Sequence, residues 1–264
     1  MSTALVTRRD YLDDQRRSII GRSIAGALAS ALPVPFLDDW AVGVVLGGGY
    51  KRIARAHGID VDNDALTTLV HGASKPPSLV DIASAGVLIR IATKSAKRMM
   101  AILVAVNRAR AAAKTYVTMT LFDHYCAKLH TGLAIDNATA LAIRDEIGRA
   151  IEQTPGALSF RPFRRGMLAA ARASLKAPLE LADLVTRGGL RRLLAKKSEV
   201  TEAQAVDDLD HSIETALANR SNILSRAAMA VEVQLSADGN PFLDTVIETF
   251  DRRWRARVAA KVPR

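Results

Sequence analysis

Three residues carry the chain's best-formed chemical spacing. Asp123, Cys126 and His130 stand at i, i+3 and i+7, which puts a carboxylate, a thiol and an imidazole on one helix face. Such a set can ligate a metal or pair a nucleophile with its base. The set is short of ligands, and Cys126 is the only cysteine, which excludes a multi-cysteine metal site and an internal disulfide framework. The competing reading, and the one we favour, is a small buried thiol with a polar helix end at His130, just before Gly132.

A second acid–histidine spacing lies at Asp207, Asp208, His211 and Glu214. Asp208-x-x-His211 has the acid-x-x-His form used in di-iron bundles. Those sites need two such elements and two further inward carboxylates. No other histidine here has an acid three residues before it, so the stretch reads as a solvated acidic helix face. His57 and His71 adjoin glycines, as helix-terminal histidines often do. The glycines at 43, 47, 48 and 49 lack the spacing and the Lys-Ser/Thr of a phosphate loop. Small residues four apart let helix backbones approach, so the run reads as close packing or a kink. No metal, cofactor or catalytic residue is expected.

The stronger signal is cationic. Lys and Arg number 37 against 27 Asp and Glu, a net charge of +10. The excess is local: residues 160–198 hold 10 basic and 2 acidic residues, whereas residues 199–264 hold 8 basic and 11 acidic. Candidate contacts to an anionic surface are Arg161, Arg164, Arg165, Arg172, Lys176, Arg191, Arg192, Lys196 and Lys197. Arg161, Arg165, Arg172 and Lys176 share one helical stripe, with Phe163, Met167 and Ala170 roughly opposite. Another basic stripe, Arg90, Lys94, Lys97 and Arg108, flanks the apolar run 99–106. Near the C-terminus Trp254 stands among Arg252, Arg253, Arg255 and Arg257. An indole among arginines suits a lipid headgroup boundary, and suits a packed helix with a basic edge equally well.

The elements that position these residues are helical almost throughout. Helices are expected over 8–32, from Asp38 or Asp39 to His57 with Gly58 after its end, 65–71, 79–114 continuing toward 130, 138–153, 161–186, 190–197, 201–235 and 242–258. Pro33-Val34-Pro35 must stop the first, since proline lacks an amide donor and bends its predecessor out of the helix. Asp136 or Asn137 caps the 138–153 helix. No strand with period-two alternation is found, the short apolar run Ala41 to Leu46 being the nearest. The expected fold is all-α: a multi-helix bundle with a Pro-kinked N-terminal hairpin, one domain over 1–264, with a subdivision near 131–137 left open. No uncharged run reaches the ~20 residues of a spanning helix, and the N-terminus has no apolar stretch of the secretory kind. A cytoplasmic protein is expected, free to sit peripherally at the inner face of a membrane.

Pro33-Val34-Pro35-Phe36-Leu37-Asp38, followed by Arg52-Ile53-Ala54-Arg55-Ala56-His57-Gly58, resembles a pattern in membrane-associated helical bacterial domains. Some of these follow a GTPase domain; others belong to the EcsC-like group. The resemblance spans about residues 24–62. It implies a helical, membrane-associated accessory protein without established catalysis. This sequence departs from it in lacking a GTPase domain and in having short apolar helices interrupted by charge. The function expected is therefore peripheral association with an anionic lipid surface, or a scaffold role toward a protein partner, through residues 160–198. The alternative is a nucleic-acid-binding or partner-binding helical adaptor, since phosphate neutralisation needs the same residues. Against it, no nucleic-acid-binding motif is recognisable, and aromatic residues are scarce in the basic segment. The sequence does not fix an oligomeric state.

Overall fold

Apolar residues at spacings of three and four decide the architecture, because each such stripe must be covered by another helix. The computed structural model describes residues 9–29, 37–72, 98–158, 161–173, 202–220, 222–237 and 241–261. Within them are nine α-helices: α1 (Asp13–Ala29), α2 (Leu37–Ala56), α3 (Asn63–His71), α4 (Arg98–Lys128), α5 (Asn137–Gln153), α6 (Arg161–Ala173), α7 (Glu202–Ala218), α8 (Ile223–Ala237) and α9 (Pro241–Lys261). A single 3-10 turn, Asp10–Leu12, leads into α1. The fold is an all-α multi-helix bundle. None of the helices in the described residues is long and apolar enough to cross a membrane.

The centre is α1, which packs on α2, α4, α7 and α8. It is buried along Ile19, Ile20, Ile24 and Ala27. Around it, α6 lies on α8 and α4, α3 on α5, and α9 on α5. The stripe on α5 is Ala140, Ile143, Ile147 and Ala150; on α9 it is Val246, Ile247, Phe250 and the half-buried Trp254. All of these join one hydrophobic cluster. Alanine on α4 (Ala109, Ala112, Ala113) lets neighbours approach. Phe122, buried completely, meets the Tyr50 ring edge-on at 4.9 Å, and burying a side chain of this size contributes about 1.5–3 kcal/mol.

The helix ends follow local chemistry. Asp136 accepts from the amide of Thr139 at 2.8 Å and so starts α5. Gly58, at φ 70°, follows α2 in the left-handed conformation that glycine adopts freely. Two expectations differ from the structure. The helix over 201–235 is two helices, α7 and α8, because the Asn222 side chain accepts from the Leu224 amide and restarts the chain. A strand is present: β1 (Asp60–Val61) pairs in parallel with β2 (Ala134–Ile135), in the register Asp60↔Ala134. Two residues are too few to display alternation. The bridge ties the 131–137 connection to the end of α2, and Ile135, which pairs with Val61 in it, is fully buried.

The Pro33–Pro35 stop lies outside the described residues, as do residues 79–97, the Pro178 interruption and the 190–197 helix. The helices on either side of the proline stop, α1 and α2, pack against each other.

Candidate anion-binding surface

Asp123 and Cys126 are buried on α4, and His130 is half-buried just past its end. Asp123 Oδ1 accepts from His57 Nε2 at 2.7 Å, while its buried Oδ2 has no partner among the described residues. Desolvation holds this carboxyl above its usual range, with the His57 bond opposing. Burial, and then the charge of Asp123, push the Cys126 thiol far up. A nucleophile or metal ligand needs the opposite shift. His130 pairs through Nδ1 with the Tyr125 hydroxyl at 3.0 Å. The next residue along α4, His124, joins three elements: its Nδ1 faces the Tyr11 hydroxyl and its Nε2 donates to Asp251 Oδ1 of α9 at 2.6 Å. Desolvation lowers the His124 pKa against the pull of Asp251, so the neutral ring is favoured, accepting from Tyr11 and donating to Asp251.

The acidic face of α7 is corrected by the structure. His211 and Asp207 are exposed, as a solvated face requires, but Glu214 turns inward. With Asp210 it grips Arg22 of α1, which is 1% exposed: Nη2 lies 2.6 Å from Asp210 Oδ1 and 2.8 Å from Glu214 Oε1. Ser18 donates to the same glutamate. The glycine run makes room for this. A Cβ on Gly48 would meet Asp210 Oδ1 at 2.4 Å, and one on Gly49 would meet Met119 Cε at 2.6 Å. The run is thus a close-packing surface inside an unbroken helix.

Of the cationic candidates, Arg161, Arg164 and Arg165 are exposed in the first turns of α6. Pro162, Phe163 and Gly166 face inward between them, Phe163 lying 5.5 Å from the Tyr116 ring. Proline is tolerated there because the first turn needs no amide donor. The first turn of α6 holds no acid, and neither Arg161 nor Arg164 has an ion pair among the described residues. Arg172 is on the same helix, its side chain outside the description. Lys176, Arg191, Arg192, Lys196 and Lys197 also lie outside the described residues. Trp254 is half-buried, edge-on to Tyr125 at 4.8 Å and tilted against Phe250.

The arginines around Trp254 divide into two sets. Arg252 and Arg255 are exposed. Arg253 and Arg257 turn toward α5 and hold Glu146, whose side chain is 5% exposed: Arg253 Nε lies 2.8 Å from Oε2 and Arg257 Nη1 3.0 Å from Oε1. Arg253 Nη1 also donates to Gln153. Arg149 joins them to line an open groove of about 490 Å³ between α5 and α9. Sequence reasoning named the α9 arginines but neither Glu146 nor Arg149, and no local pattern links residues about a hundred positions apart. Compared with family models, with curated proteins and with solved structures, the chain matches none.

Proposed function

We propose that this chain is a non-catalytic helical protein that associates peripherally with an anionic membrane surface, with Arg161, Arg164 and Arg165 of α6 as contacts. The observation that carries this reading is their placement. Two exposed guanidiniums, Arg161 and Arg164, stand in the first turn of a helix that holds no acid there, and neither has an ion pair among the described residues. The helix dipole is already positive there, so each of these two cations costs about 0.3–1 kcal/mol when nothing answers it. A sheet of lipid phosphates answers it. The +8 balance of residues 160–198 extends the same charge along the chain, and the local resemblance of residues 24–62 points the same way.

Each Lys or Arg near an anionic leaflet contributes ~1 kcal/mol, and the attraction falls off within a Debye length. Co-sedimentation with phosphatidylglycerol vesicles is therefore expected at about 0.01 M salt, where that length is ~30 Å, and lost near 1 M, where it is ~3 Å. Phosphatidylcholine vesicles should leave the protein in solution. Binding to neither vesicle at low salt overturns the proposal, and a mobility shift of a nucleic acid under the same conditions replaces it with the adaptor reading.

A further inference from the structure

The α5–α9 groove is a different feature from the α6 arginines. Its floor is a buried carboxylate, Glu146, spanned by Arg253 and Arg257, one to each oxygen. Against this one carboxylate stand four guanidiniums (Arg149, Arg252, Arg253 and Arg257), so the groove lining carries a net charge of +3. Glu146 and Gln153 fix two of these guanidiniums in place. Held donors lose little side-chain freedom when a ligand arrives. The other two, Arg149 and Arg252, are exposed and make no ion pair among the described residues. The nearby hydroxyl of Thr249 donates to the Thr245 carbonyl and is not spare.

From this geometry we infer that the groove binds a phosphate monoester dianion, Arg149 and Arg252 closing on oxygens presented to the fixed pair Arg253 and Arg257. Planar, permanently charged forks take carboxylate and phosphate oxygens two at a time; a monoester dianion brings three terminal oxygens and two charges to the several forks here, where a carboxylate or a diester brings two such oxygens and one charge. The groove volume, about 490 Å³, exceeds one phosphate group and falls in the usual range for small-ligand sites. An organic group attached to the phosphate therefore has room. The monoester can come from a soluble phosphorylated metabolite or from a lipid headgroup such as phosphatidic acid.

Titration calorimetry of the full chain with glycerol 3-phosphate, alongside co-sedimentation with phosphatidic acid vesicles, separates the two sources. Saturable binding of the soluble ester assigns the groove to a free ligand. Binding to phosphatidic acid vesicles in clear preference to phosphatidylglycerol assigns it to a headgroup. The pair Arg149→Gln and Arg252→Gln leaves Glu146 fully paired, and each change is expected to weaken monoester binding about tenfold. Removing Arg161 and Arg164 should leave glycerol 3-phosphate binding unchanged, so failure of this inference is distinguishable from failure of the surface proposal. The inference is overturned if neither monoester binds, if phosphatidic acid shows no preference over phosphatidylglycerol and the soluble ester is ignored, or if the Arg149/Arg252 variant, folded by circular dichroism, binds as the parent does.

Discussion

Adjacent glycines on α2 should respond to the same substitution with opposite signs. Gly47→Ala places a methyl 3.7 Å from Leu66 Cδ2, an ordinary contact. Its main effect is to replace glycine by alanine in a helix interior, a gain of up to about 1 kcal/mol. Gly48→Ala receives the same gain, but its methyl falls 2.4 Å from Asp210 Oδ1 and 3.0 Å from Arg22 Nη1. Arg22 cannot retreat cheaply. Arg22 is 1% exposed and bound on two sides, and Asp210 is one of its two carboxylate partners. Overpacking costs about 1–3 kcal/mol. Prising apart a buried ion pair costs about 3–5 kcal/mol when complete, of which only a part applies because Asp210 is 30% exposed and can shift toward solvent. The net expectation is a loss of about 1–3 kcal/mol for Gly48→Ala and a small gain for Gly47→Ala. Urea unfolding followed by far-UV circular dichroism reads both. A Gly48→Ala protein as stable as the parent, or two variants shifted alike, would refute the claim that this glycine run exists to admit the Arg22 network.

Other outcomes follow from the same contacts. Gly166→Ala sets a methyl 2.4 Å from Val231 Cγ2 and 2.7 Å from the Val231 backbone, so the α6–α8 pair must separate. A loss near the upper end of about 1–3 kcal/mol is expected in the same urea assay. Acidification should weaken the fold through His124. Its folded pKa lies below the ordinary 6.5, so its contribution is complete above that value and lost as the pH falls through the folded one. His124→Gln should flatten this part of the stability–pH curve without abolishing it, because His130 is shifted in the same direction. The raised Asp123 carboxyl acts with the opposite sign as the pH falls, so the comparison with His124→Gln decides: a variant whose stability falls as steeply as the parent's contradicts the buried neutral ring.

What could be read from the sequence was local, and what escaped was distant. Asp136 as a cap, Gly58 beyond a helix end, and the α5 stripe Ala140, Ile143, Ile147 and Ala150 are all written within a few residues of where they act. The glycine run was legible as close packing, though not what it packs against. The restart at Asn222 escaped because Asn219 to Asn222 contain neither proline nor glycine. Glu214 looked solvated because its partner Arg22 lies 192 positions away. Glu146 and Arg149 went unnoticed for the same reason, since the arginines that give them meaning sit on α9. His57 read as a helix end, and its bond to buried Asp123 spans 66 positions.

Charge removal on α6 tests the central proposal most directly. Arg161 and Arg164 are exposed, so Arg161→Gln with Arg164→Gln should leave the circular dichroism spectrum unchanged. At ~1 kcal/mol per residue near the leaflet, the pair should weaken binding to phosphatidylglycerol vesicles by about 30-fold at low salt. The same affinity for those vesicles before and after the two substitutions would contradict the account.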